Sequence, residues 1–283
     1  MTVKLDGLNV AGLAWGPVDG RPILALHGWL DNAGSFSALG PLLTGWRVVA
    51  VDLPGNGLSD HRSPDATYNI WDDLVQIDGL VKALGGQAVL LGHSRGAIQS
   101  ILYAAAQPAS VAAVVALDAL VSEPFPERDL PKQLGRFLTD RTRHLGKPER
   151  LFPDRKAFIG RRQVHGVGAA AAQAIAERAL EPTEGGMRLR GDPRLMGASA
   201  LKLTAGEIEA VLKAVRAPVL ALMAEDGLRS RPGRGAERPE DLLADCSSLT
   251  LRGDHHFHLD PDVAPEIAGR IRDFLGGLQM DGT

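Results

Sequence analysis

The sequence is poor in cysteine: Cys246 stands alone among 283 residues, so no internal disulfide can form, which agrees with a reducing compartment. As a lone thiol within Asp245-Cys246-Ser247-Ser248, it is read as passive. Long apolar runs are missing as well. None approaches the ~18 residues of a membrane span, and Met1-Thr2-Val3-Lys4-Leu5-Asp6 lacks the apolar centre of a signal peptide. A cytoplasmic location with no membrane partner is therefore the expectation. Nor is there an excess of one charge. The formal net charge is -3, from 31 Lys and Arg against 34 Asp and Glu, which gives no electrostatic footprint for a nucleic-acid partner. No internal repeat is visible. What remains, 45% hydrophobic and 23% charged residues, is the composition of a globular protein able to bury a sizeable core.

Apolar runs bounded by breakers recur along the chain. Residues 3–15 carry two strand-like pieces separated by Asp6-Gly7, the signature of an edge hairpin. Ile23-Leu24-Ala25-Leu26, Arg47-Val48-Val49-Ala50-Val51, Ala88-Val89-Leu90-Leu91 and residues 111–117 are continuous runs of the kind covered on both faces. Between them, Ile70, Leu74, Ile77, Val81 and Leu84 fall on one helical stripe that predicts a helix from an Asn69 cap to Gly85-Gly86. A second helix is predicted over 97–107. Strands alternating with helices imply a parallel sheet with helices on both faces.

The rhythm stops after Asp118. Residues 122–203 show no buried-strand pattern, only prolines and helix-like pieces such as 169–180, and are read as an inserted, mostly helical cap. The core is then formed by residues 1–121 and 204–283. The early cap, 122–162, holds eleven Lys and Arg against six Asp and Glu; solvated helix faces account for this more simply than an anionic substrate. Thr204-Ala205-Gly206-Glu207 is a capping box, Pro218-Val219-Leu220-Ala221-Leu222-Met223 resumes the sheet, 229–240 reads as a mobile surface loop, Ser248-Leu249-Thr250-Leu251 is a last strand, and 263–275 a closing helix.

The chemistry concentrates at Gly92-His93-Ser94-Arg95-Gly96, a Gly-x-Ser-x-Gly placed between a buried strand and a helix. That context puts a serine on a sharp, exposed elbow. Side chains at Gly92 or Gly96 would collide with the neighbouring strand or helix. The plainer reading makes Ser94 a helix cap. A nucleophilic serine needs a histidine to take its proton and a carboxylate to fix that histidine's tautomer. His255, on a loop after the last strand, meets the first need. Asp118 and Asp226 each end a strand, and either could meet the second. The developing oxyanion needs two backbone N–H donors, and these are expected from Arg95, after the nucleophile, and Trp29, in the loop His27-Gly28-Trp29-Leu30-Asp31-Asn32. His27 is read as bracing that loop. The cluster His255, His256 and His258 also has metal-ligand chemistry, but it lacks helical spacing and the serine already requires a base, so no metal is expected. Gly55-x-Gly57 is not a dinucleotide fingerprint, since Asp60 stands where its last glycine belongs.

These residues resemble the α/β-hydrolase superfamily and, within it, are similar to the serine hydrolase-like proteins. The matching stretches are residues 27–32, Asp52-Leu53-Pro54-Gly55, Gly57-Leu58-Ser59-Asp60, Gly92-His93-Ser94, Asp192-Pro193-Arg194-Leu195 and 253–260. The resemblance implies an eight-stranded, mostly parallel sheet, a helical cap over the site, no cofactor, and hydrolysis of a small-molecule ester-like bond through Ser94 and His255. Thioester or C–C bond hydrolysis on the same residues, and a ligand-binding module with a vestigial site, are the alternatives. Two departures are visible. Asn56 stands where such proteins often have histidine, and Gly227 occupies the position at which many of them carry the acid. Asp118 matches the alternative position used by some superfamily members, and is favoured over Asp226 on that ground. Oligomeric state is left open.

Overall fold

In the computed structural model of the chain, the structure describes residues 1–145, 150–230 and 238–278. Part of the surface loop read from the sequence, 231–237, and Lys147 and Glu149 of the basic stretch lie outside the described residues. Strands β1 (Thr2–Leu5) and β2 (Leu8–Trp15) pair antiparallel as the expected hairpin. Asp6 and Gly7 turn it with φ of 47° and 82°, the both-positive pattern that matches the twist of a two-residue hairpin.

The chain continues through β3 (Arg21–Leu26), β4 (Trp46–Val51), α1 (Leu74–Ala83), β5 (Ala88–His93), α2 (Arg95–Ala106) and β6 (Val111–Leu117). Residues 122–203 carry α3 (Leu130–Leu145), β7 (Leu151–Phe152), α4 (Arg155–Val164), α5 (Ala169–Ala179), β8 (Leu180–Thr183) and β9 (Gly186–Leu189). The chain then completes α6 (Ala205–Ala214), β10 (Val219–Asp226), β11 (Cys246–Asp254) and α7 (Ala264–Gly277). The main sheet has eight strands in the order β1-β2-β4-β3-β5-β6-β10-β11; β2 runs antiparallel to β1 and β4, and the other pairings are parallel.

Alternation along the strands divides the core in two. On one face Leu24, Leu26 and Leu90 pack with Ile77 and Leu80 of α1, Ile101 of α2 and Leu212 of α6. On the other, Ile23, Ala25 and Leu91 meet Phe36 and the α7 residues Ile267 and Ile271. Apolar side chains on both faces are why these strands read as unbroken hydrophobic runs. No described helix is long and apolar enough to cross a membrane.

Two expectations need correction. The helix predicted from Asn69 begins only at Leu74, because the Asn69 Oδ1 accepts from Ala200 N at 2.9 Å instead of capping it, and the carbonyls of Asn69 and Ile70 accept from Arg95 and Gln99. Residues 122–203 also contain a three-stranded antiparallel sheet, β7-β9-β8, where no strand was read. These strands are two to four residues long and no strand-wide apolar pattern marks them; Phe152 and Leu180 nevertheless join Phe158, Ile175 and Ala176 in a local core.

This segment is tied to the sheet by polar bonds as well. Arg178 reaches the fully buried carboxylate of Asp52 at 2.6 Å, Asn32 Nδ2 donates to Ile175 O at 2.9 Å, the Tyr68 hydroxyl donates to Asp192 at 2.9 Å, and Trp29 Nε1 donates to Leu195 O at 2.8 Å. Arg194 adds donors to Arg62 O and Ser63 O, each at 2.7 Å. The Asp192-Pro193-Arg194-Leu195 stretch thus serves as a clamp.

The elbow depends on its glycines. A Cβ at Gly92 would lie 2.4 Å from the Ala97 backbone, and one at Gly96 only 2.0 Å from Leu26 O. Both obstacles are main chain, which cannot rotate away. Gly96→Ala is expected to cost about 1–3 kcal/mol by overpacking and to lower Tm by about 3–10 °C; a melt within 1 °C of wild type would contradict this packing.

Candidate active site

Ser94 lies between β5 and α2 with φ 51° and ψ -115°, a region non-glycine residues rarely occupy. It stands at the N-cap position, but its side chain makes no capping hydrogen bond. Its Oγ instead lies 3.0 Å from His255 Nε2. His255 Nδ1 lies 2.6 Å from Asp118 Oδ2; a carboxylate can only accept, so Nδ1 carries the proton and Nε2 presents its lone pair to Ser94.

Asp118 follows β6 with φ 53° and is fully buried. Its carboxylate also accepts from Ala224 N at 3.0 Å and Leu228 N at 2.8 Å. A Cβ at Gly227 would lie 2.2 Å from Asp118 Oδ1 and 2.4 Å from Oδ2. The glycine at the position where many relatives of this fold carry their acid is therefore the space into which Asp118 projects from the neighbouring strand. Asp226, the other candidate, is exposed at the end of β10 and sits in register with Asp254.

Arg95 is the first residue of α2, so its N–H belongs to the unpaired donors at a helix N-terminus, beside Ser94. Its guanidinium is turned to Asn69 O at 3.1 Å and Asp73 at 3.2 Å. Trp29 lines the same cavity, of about 620 Å³, as Ser94, Arg95, His255 and His256. Below Trp29, the buried His27 ring donates from Nδ1 to Gly28 O at 2.7 Å and accepts from Leu53 N at 3.0 Å, so its bonds hold the loop. Asn56 donates to Leu53 O and Pro54 O, a packing role for the residue that replaces histidine.

The histidine cluster separates. His258 Nε2 pairs with Ser35 Oγ at 3.0 Å, and His256 Nε2 donates to Asp31 Oδ2 at 3.2 Å. His93 lies among the three, its ring centroid 4.7, 4.9 and 4.2 Å from those of His255, His256 and His258, and its Nε2 donates to His255 O at 2.8 Å. Arg162 closes on Asp31 Oδ1 at 2.7 Å. Burial pushes the Asp31 carboxyl up, but His256, His93 and Arg162 outweigh it and hold it well below the usual range. Sequence reasoning gave Asp31 and His93 no role. Their one signal is adjacency to the two motifs, the His-Gly loop and the elbow.

Burial pushes the His93 imidazolium down to about 4 against the pull of Asp31, and carries His258 well below its ordinary value. In the unfolded chain both rings titrate near 6.5, so between these limits the unfolded chain holds more protons. The stabilisation is therefore complete above about pH 6.5 and lost as pH falls towards 4, by about 3 kcal/mol for His93 alone. Thermal melts across pH 4–8 are expected to be level above 7 and to fall steeply below 6.5; a level profile down to pH 5 would refute the assignment of neutral buried rings.

Residues 21–151 match the family model described as alpha/beta hydrolase fold, and with the sheet order above the chain belongs to the α/β-hydrolase superfamily. Within it, the chain is similar to the serine hydrolase-like proteins: that of Danio rerio is 31% identical over 97% of this chain and 87% of its own length. A hypothetical protein of Pseudomonas aeruginosa superposes with a TM-score of 0.90 at 34% identity, covering 98% of this chain and 99% of the other. The 2-(acetamidomethylene)succinate hydrolase of Mesorhizobium japonicum is 30% identical over 92% of this chain and 88% of its own. The chain is thus a hydrolase by family.

Proposed function

We propose that the chain is a serine hydrolase that cleaves a carboxylic ester or similar acyl bond through an acyl-enzyme. The observation that carries this reading is the unbroken relay of Asp118 Oδ2, His255 Nδ1, His255 Nε2 and Ser94 Oγ at 2.6 and 3.0 Å, opening into one cavity. Ser94 Oγ attacks the acyl carbon while His255 takes its proton, and Asp118 stabilises the imidazolium that forms. The N–H groups of Arg95 and Trp29 hold the oxyanion, assisted by the N-terminal end of α2. His255 then protonates the leaving alkoxide, and a water activated by the same ring releases the acid. Residues 122–203 act as a cap that excludes bulk water.

The cavity volume lies within the 300–1,000 Å³ of ordinary small-molecule sites. Its wall includes Trp71, Ile98, Leu102 and Leu203, and the guanidiniums of Arg95 and Arg162 are already paired with Asp73 and Asp31. The apolar wall and the paired guanidiniums support a largely apolar acyl group of modest size, with Glu123 and Lys202 adding one charge of each sign to the cavity wall.

Fluorophosphonate labelling, together with hydrolysis of p-nitrophenyl esters from acetate to octanoate and of acidic acyl analogues, tests the reading. Labelling and turnover of the short neutral esters are expected. Thioester or C–C bond turnover in their place would move the chemistry to those electrophiles, and tight ligand binding with no labelling or turnover would make the protein a binding module.

A further inference from the structure

We infer that Asp31, His93 and His256 form a binding site for a single borderline divalent transition ion, of which Zn²⁺ is the type, on the wall of the Ser94 cavity. One ligand atom from each of these three buried side chains lies within 4.8 Å of the other two. The separations are 3.5 Å from Asp31 Oδ2 to His93 Nδ1 and 3.2 Å to His256 Nε2. Donors on a tetrahedral ion with bonds of about 2.0–2.1 Å lie about 3.3 Å apart, so both distances already suit a shared ion.

His93 supplies the independent argument. Its Nε2 faces the carbonyl of His255, which can only accept, so the proton is fixed there and Nδ1 carries a lone pair. That nitrogen is buried and has no hydrogen-bond partner among the described residues; what it faces is a carboxylate oxygen, a second acceptor. Two acceptors pointed at one another are reconciled by a cation held between them, a proton or a metal ion. An imidazole whose other N–H is tied to a backbone carbonyl is also how metal-bound histidines are oriented. Arg162 occupies Asp31 Oδ1 and leaves Oδ2 to the trio. On binding, the His256 proton moves from Nε2 to Nδ1, and the ring stays neutral. Gly28 keeps the flank open, since a Cβ there would stand 2.9 Å from His93 Nδ1 and 3.0 Å from Asp31 Oδ2. Two nitrogens and one oxygen suit zinc-like ions better than calcium or magnesium, which favour all-oxygen shells.

The test titrates chelator-treated full-length protein with ZnCl₂ by calorimetry. One equivalent is expected to bind, with affinity at least tenfold weaker in Asp31→Asn and His256→Gln and unchanged in His165→Gln, which alters a histidine on the same cavity. Zn K-edge absorption of the loaded wild type decides the matter should either variant misfold, and is expected to report two imidazole nitrogens. No binding by the wild type, equal affinity in folded His256→Gln, or a sulfur or all-oxygen shell would overturn the site.

Discussion

Ser94→Ala is expected to reduce kcat for any turned-over ester by about 10⁶-fold, the loss seen when a serine nucleophile is removed from such a relay, and to abolish fluorophosphonate labelling. The size of the effect follows from the absence, among the described residues, of another hydroxyl or thiol bonded to His255: the ring points its lone pair at Ser94 Oγ, and Cys246, which begins β11, has its thiol pushed up to about 11 by burial. The variant should fold normally. Because the Ser94 hydroxyl makes no capping bond to α2, its loss does not carry the cost of about 1 kcal/mol expected of a removed cap. Activity collapsing while the melt stays within a few degrees separates the nucleophile from the helix-cap reading; labelling that survives the substitution would end the proposal.

The second large effect concerns the acid. Asp118→Asn is expected to lower kcat by about 10⁴-fold, since an amide at that place favours the wrong tautomer of the histidine, whereas Asp226→Asn should stay within about twofold. Equal, small losses at both would remove the carboxylate from the mechanism. Geometry permits a stricter test. The space next to Gly227 is filled by the Asp118 carboxylate, so in Asp118→Gly combined with Gly227→Asp the negative charge would return to nearly the same point from the adjacent strand. Glycine also relieves the positive φ at 118. The double variant is expected to recover at least tenfold over Asp118→Gly alone. No recovery, with both proteins folded, would mean that the Ala224 and Leu228 N–H groups orient the carboxylate only when it comes from position 118.

The sheet was readable because strands covered on both faces leave continuous apolar runs, as in β3, β4, β5 and β6. The elbow was readable because its glycines are demanded by main-chain atoms two to three ångströms away. The acid is legible as Asp118 only through the resemblance; strand ends alone leave Asp118 and Asp226 open, because the choice turns on where β6 and β10 end in space, with Asp118 against His255 and Asp226 in solvent. The start of α1 escaped for a similar reason, as the Asn69 side chain and the Asn69 and Ile70 carbonyls are engaged by Ala200, Arg95 and Gln99, all distant along the chain. The β7-β9-β8 sheet is built from strands too short to show a period. The Asp31, His93 and His256 assembly draws on the loop after β3, the last residue of β5 and the loop after β11, and no local spacing announces it.

The bonds by which Arg178, Asn32, Tyr68, Trp29 and Arg194 fasten the inserted segment to the sheet bear on how reactants travel. Lifting that segment as a unit would have to break all of these bonds together, one of them an ion pair on a carboxylate sealed from solvent. Access to Ser94 is then expected through the standing mouth of its cavity rather than by a hinged lid.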